Sequence, residues 1–257
     1  MAFIGIALVL VVIAAMELSM LFRMHRDPAR TPGQAESVAG REDETYVDAD
    51  TPAGAGVENA DLPNKTDGDW RMVLVNDKNP LPEDFRVRLA DLRSGVQVDE
   101  RILDPLHRML DAAKKEGFTI VASSGYRSVD RQRVLYRNKV ARLLGTGLSE
   151  AVAQAEAVKE VAYPGTSEHH LGLALDLVAG HNQRLDDSQG ETPENQWLRE
   201  HCHVYGFILR YPLDKSDKTG VIYEPWHFRY TGQEAAKSIM EQGLCLEEYL
   251  EQLADTP

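Results

Sequence analysis

Ser167-Glu168-His169-His170-Leu171-Gly172-Leu173-Ala174-Leu175-Asp176 gathers imidazoles, a glycine and a carboxylate into one short stretch. Leu173, Leu175 and Leu177 alternate with Ala174 and Asp176, which is the period of a strand. A carboxylate on a half-buried strand is costly unless a partner or a cation neutralises it. Further along, Glu224-Pro225-Trp226-His227 supplies another imidazole and another carboxylate beside the aromatic run Trp226, Phe228 and Tyr230. His and Asp are both good ligands for a borderline cation such as zinc. One imidazole of the His169-His170 pair, with Asp176 and His227, makes a three-ligand site with one position left open. That is the pattern of a catalytic zinc rather than a structural one. Spacing alone does not choose the imidazole: on a regular strand His170, not His169, shares a face with Asp176.

The chain has 257 residues, enough for one good-sized domain plus extra segments. A hydrophobic fraction of 43% supports a real core, and a net charge of −13 argues against nucleic acid as a main partner. The cysteines Cys202 and Cys245 are too few for a disulfide framework and form no CxxC pair. They fit either a single disulfide in an extracytoplasmic protein or two buried thiols.

Phe3 to Ala15 is almost wholly apolar, and after Glu17 and Ser19 the pattern resumes at Met20-Leu21-Phe22. Residues 1–22 are therefore expected to be a membrane anchor or signal segment, close to the ~20 residues a spanning helix needs. No convincing Ala-x-Ala cleavage site is present after it, which favours an uncleaved anchor. Arg23, Arg26 and Arg30 come after the segment, and by the positive-inside rule they would keep the C-terminal part of the chain in the cytoplasm; no Lys or Arg precedes the segment, so either the real start lies upstream or this rule does not set the orientation, which the sequence leaves open. Residues 23–68, rich in Ala, Gly, Pro, Asp and Glu without apolar periodicity, read as a disordered acidic linker.

Residues 69–257 read as the folded domain. Strands are expected at Met72–Val75, Phe118–Ser123, His169–Asp176, Gly206–Tyr211 and within Val221–Tyr230. Helices are expected from Ile102 to Ala113, Val129 to Leu144 behind a Ser128 cap, Ser149 to Val161, Thr192 to Tyr205, Gly232 to Met240 and Leu246 to Leu253. Loops are expected around Gly180–Gly190 and over Asp214–Gly220. This irregular mixture predicts an α+β fold rather than a wound parallel sheet.

These motifs together resemble the VanY-type zinc D-alanyl-D-alanine carboxypeptidases, which group with the VanX, lysostaphin and hedgehog zinc domains. The likeness rests on Ser-x-His-x-x-Gly-x-Ala-x-Asp at 167–176 and Glu-Pro-Trp-His at 224–227. Three flanking segments agree: Leu74-Val75-Asn76 with Asn79-Pro80-Leu81-Pro82; Ser124-Gly125-Tyr126-Arg127-Ser128; and Tyr205-Gly206-Phe207-Ile208-Leu209-Arg210-Tyr211-Pro212. It covers roughly residues 70 to 253. It implies a small antiparallel sheet flanked by helices, a zinc site on the sheet and a cell-wall peptide substrate. The family register selects His169, with Gly172 breaking the strand and His170 packing beside it.

The resemblance implies a role for each residue. His169, Asp176 and His227 hold Zn2+. Glu224 is the base that takes a proton from water and passes it to the leaving amine. Arg127 steadies the oxyanion or the substrate's terminal carboxylate. Ser167, Tyr126 and Gln132 bind substrate carboxylate or amide groups, and Trp226 walls the pocket. His201 and His203 flank Cys202, but two residues apart on a helix they do not face each other. His107 and His181 carry no expected role.

The expected protein is a monomeric, membrane-tethered zinc carboxypeptidase. It trims the terminal D-Ala from peptidoglycan stem peptides, with its catalytic domain outside the cytoplasm. The alternatives are an L,D-carboxypeptidase on tetrapeptide stems, a crosslink endopeptidase, or a non-catalytic zinc-containing cell-wall binding module. Intact Glu224 weighs against the last.

Overall fold

The computed structural model describes residues 69–255. The anchor expected over 1–22 and the linker over 23–68 lie outside the described residues. Among the described residues no helix is long and apolar enough to cross a membrane.

A small antiparallel hairpin opens the fold, β1 (Leu89–Asp91) with β2 (Gln97–Asp99). The first helix, α1 (Leu103–Lys115), buries Leu106, Met109 and Ala113 on one stripe. It stops at Gly117, whose φ of +93° lets the Phe118 N–H reach Ala113 O at 3.0 Å and satisfy an end carbonyl. β3 (Ile120–Ser124) is next. Then comes α2 (Val129–Gly145), whose cap Ser128 accepts the Arg131 N–H through Oγ at 3.2 Å. α3 (Glu150–Ala157) packs against α2. A 3-10 turn at Glu168–Leu171 leads into β4 (Ala174–Ala179). Thr192 caps α4 (Pro193–His201), which ends in a 3-10 turn at Cys202–Tyr205. β5 (Phe207–Tyr211), the single turn α5 (Ser216–Thr219), β6 (Glu224–Tyr230), α6 (Gln233–Gln242) and α7 (Leu246–Asp255) complete the chain.

The main sheet runs β3-β4-β6-β5, every neighbouring pair antiparallel. Its two faces differ in chemistry. Leu175, Leu177, Phe228, Phe207 and Leu209 point into the main core with Leu106 and Met109 of α1 and Trp197 and Leu198 of α4. Each such Leu or Phe taken from water is worth about 1.5–3 kcal/mol. Asp176, His227, Arg229 and Arg210 occupy the alternate positions of the same strands. That second face is also buried, and Ile208 on it packs with Ala236 and Ile239 of α6 and Leu246 of α7.

Helices on both sides of a small antiparallel sheet make this the expected α+β fold, with local differences. Met72–Val75 forms no strand: a 3-10 turn at Trp70–Met72 precedes an extended segment. The carbonyls of Arg71 and Val73 are taken by Arg229 Nη2 at 2.9 and 3.0 Å instead of by a neighbouring strand. The expected strand over His169–Asp176 is a 3-10 turn followed by a strand that begins only at Ala174. The helix expected to reach Tyr205 changes winding at Cys202. The expected 214–220 loop contains the turn α5. Cys202 and Cys245 are both buried free thiols, so the disulfide alternative is not realised.

Candidate active site

The 3-10 turn carries the first functional imidazole. Gly172 ends it at φ +67°, and a Cβ there would stand 2.9 Å from Asp99 N and 3.0 Å from Val87 Cγ2. Only glycine turns the chain this tightly against β2. The turn points His169 inward, and its Nδ1 lies 2.7 Å from Gly125 O. A carbonyl only accepts, so Nδ1 carries the proton and the Nε2 lone pair is free. That Nε2 lies 3.5 Å from Asp176 Oδ1.

Asp176 and His227 are direct cross-strand partners in the β4–β6 ladder. His227 Nδ1 lies 3.5 Å from the same Asp176 Oδ1. The two imidazoles meet edge to face, with centroids 4.9 Å apart. One ligand atom from each of His169, Asp176 and His227 lies within 4.8 Å of the others, and all three side chains are buried. Asp176 Oδ1 has no hydrogen-bond partner. A buried carboxylate oxygen facing two imidazole nitrogens and no donor is satisfied by a cation. Two imidazole nitrogens and one carboxylate oxygen suit zinc. The residues present therefore fit that ion.

Local electrostatics favour the ligand forms. Burial opposes charge on Asp176, but His169, His227 and Arg127 outweigh it and bring its pKa down to about 2. Burial, then the Arg127 guanidinium, brings His169 down to about 4, so its imidazole is neutral at neutral pH.

Glu224 stands beside the three donors, its Oε2 3.5 Å from His227 Nδ1. Burial, reinforced by the Asp176 charge, pushes its pKa well above the usual carboxylate range. Arg127 also reaches the site, Nη2 3.8 Å from Asp176 Oδ2. Its fork is braced by Gln132 Oε1 at 2.9 Å and Ser124 Oγ at 3.0 Å. Gln132 in turn donates Nε2 to Ala162 O at 2.7 Å. Both ends of the Gln132 amide are thus engaged within the protein, which makes it a brace for Arg127 rather than a free substrate contact.

Ser167 is buried at the mouth of the turn and makes no capping bond there. Tyr126 is half-buried. Trp226 is buried in β6 but belongs to neither apolar cluster. His170 is held on both nitrogens, Nδ1 donating to Arg127 O at 2.6 Å and Nε2 accepting from the Gly165 N–H at 3.2 Å. It splints the loop carrying Arg127 to the turn carrying His169. His201 stacks on Trp197, centroids 4.7 Å apart, and takes no part in a metal cluster among the described residues.

The sequence reading missed a buried ionic cluster behind His227. Glu168 Oε1 accepts from Arg210 Nε at 2.9 Å and lies 3.1 Å from Arg229 Nη1. Glu247 of α7 grips the other edge of Arg210, at 2.8 and 2.6 Å. Burial opposes charge on Glu168, yet Arg210 and Arg229 hold its pKa far below the usual carboxylate range. The signal was an arginine inside each apolar strand, Phe-Ile-Leu-Arg-Tyr and Trp-His-Phe-Arg-Tyr, which demands a buried acid.

Comparison with known proteins places this geometry in context. The family model VanY, D-alanyl-D-alanine carboxypeptidase, matches residues 95–233. A D-alanyl-D-alanine carboxypeptidase of Enterococcus faecalis is 44% identical over 208 residues, 78% of this chain and 76% of that one. Among solved structures, VanYB in complex with D-alanine-D-alanine is 45% identical with a TM-score of 0.67, over 71% of this chain and 98% of that one. A mutant of the vancomycin-resistance D,D-pentapeptidase VanY in complex with Zn(II) is 44% identical with a TM-score of 0.65, over 71% and 99%.

Proposed function

Because the chain belongs to the VanY family of D-alanyl-D-alanine carboxypeptidases, we propose that it is a zinc-dependent hydrolase of the terminal D-Ala-D-Ala bond of peptidoglycan stem peptides. The observation that carries this is the convergence of His169 Nε2, Asp176 Oδ1 and His227 Nδ1, with the Glu224 carboxylate 3.5 Å from His227 Nδ1.

His169, Asp176 and His227 would hold the ion. When bound there, zinc supplies Lewis acidity at the scissile carbonyl and acidifies the attacking water. Glu224 takes the proton from that water and returns it to the amine nitrogen of the departing D-alanine. Arg127, locked by Gln132 and Ser124, stabilises the negative charge that builds on the carbonyl oxygen. Ser167 and Tyr126 border the cleft as polar contacts for the substrate's terminal carboxylate, and Trp226 forms part of its wall.

The apolar run over residues 3–22 and the acidic, Gly- and Pro-containing stretch after it support a membrane tether; a monomeric domain outside the cytoplasm is proposed from its cell-wall substrate, against the orientation that Arg23, Arg26 and Arg30 favour. Fractionation of expressing cells, with protease added outside, tests that placement.

The catalytic proposal is tested by giving the purified protein pentapeptide and tetrapeptide stems, with and without a zinc chelator. D-Ala release from the pentapeptide, abolished by chelation and restored by zinc, is expected. Release from the tetrapeptide alone would make it an L,D-carboxypeptidase. Zinc uptake without release from either stem would make it a binding module.

A further inference from the structure

We propose that Glu168 is a positioning residue for the metal ligand His227, a role that rests on the zinc site formed with His169 and Asp176. His227 uses Nδ1 toward Asp176 and Glu224, so its Nε2 points away from them. Glu168 Oε2 stands there, 3.7 Å from Nε2. Both atoms are buried, and neither has a hydrogen-bond partner. Each is the group the other lacks: an imidazole N–H and a carboxylate oxygen. An approach of about 1 Å makes a charge-assisted hydrogen bond of ordinary length.

The rest of the cluster fixes where Glu168 points. Its other oxygen is held by Arg210 Nε and Arg229 Nη1. Glu247 anchors Arg210 from α7, and the carbonyls of Arg71 and Val73 anchor Arg229. The carboxylate therefore cannot swing away from the imidazole. All these charges are nearly or fully buried. Buried ion pairs seldom stabilise a fold beyond what apolar residues of the same size would achieve. A cluster aimed at a ligand's second nitrogen has a better use. It keeps the proton on Nε2 and leaves the Nδ1 lone pair for the metal. His169 is set the opposite way, protonated on Nδ1 by Gly125 O and offering Nε2. The two ligand histidines thus carry opposite tautomers, one fixed by a backbone carbonyl and the other by Glu168.

The test begins with zinc affinity of the purified protein, measured by competition with a chromophoric chelator. Glu168→Gln should weaken it by about 10–100-fold, the usual effect of losing an outer partner of a ligand histidine. The cobalt-substituted variant should also show an altered visible spectrum. An unchanged affinity and spectrum in folded Glu168→Gln overturns the proposal. So does a lower melting temperature as the sole effect, because that is what a merely structural acid would give. Should the variant not fold, long-range 1H–15N spectra of the zinc-loaded wild-type protein decide. A His227 proton on Nε2 in slow exchange supports the role, and a proton on Nδ1 overturns it. A wild-type protein that takes up no zinc fails at the earlier step, and that outcome removes the zinc site as well.

Discussion

Replacing Glu224 with Gln separates the proton-transfer group from the metal ligands. The side chain is buried, its shape is kept, and it is not one of the three donors whose atoms cluster within 4.8 Å. Gln has nearly the volume and shape of Glu, so the amide fits the same buried place in β6. The variant should therefore fold with a melting temperature no lower than wild type and hold zinc with similar affinity. Its turnover should collapse, because an amide cannot take the proton from water. Positioned acid–base catalysis contributes about 10²–10⁴-fold, or about 2.7–5.4 kcal/mol of barrier at 1.36 kcal/mol per tenfold. The group acts only in the transition state, so kcat and kcat/KM should fall together. The assay couples D-Ala release from a pentapeptide stem to an oxidase, beside a thermal scan and a chelator titration. Turnover within about tenfold of wild type, with zinc bound, would falsify the assignment. Loss of zinc together with turnover would show instead that Glu224 belongs to the ligand set.

Arg127→Lys should lower kcat by about 10²–10³-fold without loss of fold, since an ammonium cannot be braced by Gln132 and Ser124 and still aim at the oxyanion. Near-normal steady-state kinetics would remove Arg127 from the chemistry. Gly172→Ala should destabilise the protein by more than about 1 kcal/mol, because its Cβ meets Asp99 N at 2.9 Å in a left-handed conformation. An unchanged urea midpoint would count against that packing. Burial pushes the Cys202 thiol up to about 12. A group with a raised folded pKa contributes stability fully below its unfolded pKa and loses it as pH climbs toward the folded value. Wild type should therefore lose stability between pH 9 and 12 faster than Cys202→Ala, and native Cys202 should resist iodoacetamide at pH 8 until denaturant is added. Parallel alkaline limbs in the two proteins would contradict the shift.

The ligand set was partly legible in the sequence. Asp176 and His227 lie far apart in the chain, yet strand patterning around each is enough to put both on a sheet, where they pair directly. The choice between His169 and His170 was not legible from periodicity, because Glu168–Leu171 winds as a 3-10 turn and the alternation of a strand does not apply there. Gly172 was the useful signal, as a left-handed residue ends that turn. The Gln132 brace was hidden because its amide partners come from the loop before α2 and from Ala162 after α3. The hairpin of β1 and β2 went unseen because strands of three residues are too short to display a period. Met72–Val75 was misread because an apolar run does not reveal whether a strand or an arginine side chain will take its carbonyls.

Two irregularities in the sheet explain how groups of different parity reach one centre. In a regular strand Glu224 and His227, three apart, would project to opposite faces. The β5–β6 ladder pairs Leu209 with Phe228 but Tyr211 with Glu224, so Pro225, Trp226 and His227 together oppose the single residue Arg210. The extra residues bend β6 and bring Glu224 round to His227 Nδ1. Asn195 of α4 holds the bend by donating Nδ2 to Pro225 O at 2.5 Å. Across the site, β3 pairs Ala122 with Leu177 and Ser124 with Asp176, leaving Ser123 as an extra residue. That bulge turns Ser124 toward Asp176 and puts its hydroxyl under Arg127. Bulges re-aim side chains without altering the apolar face on the other side of the sheet. Leu175, Leu177, Leu209 and Phe228 therefore keep their core packing while base, ligands and guanidinium converge on the opposite face. Deleting Ser123 would restore a regular β3–β4 ladder, and regularising β5–β6 would take the loss of two of Pro225, Trp226 and His227; either change comes at the expense of that convergence, which is why the site depends on irregular pairing rather than on the strands alone.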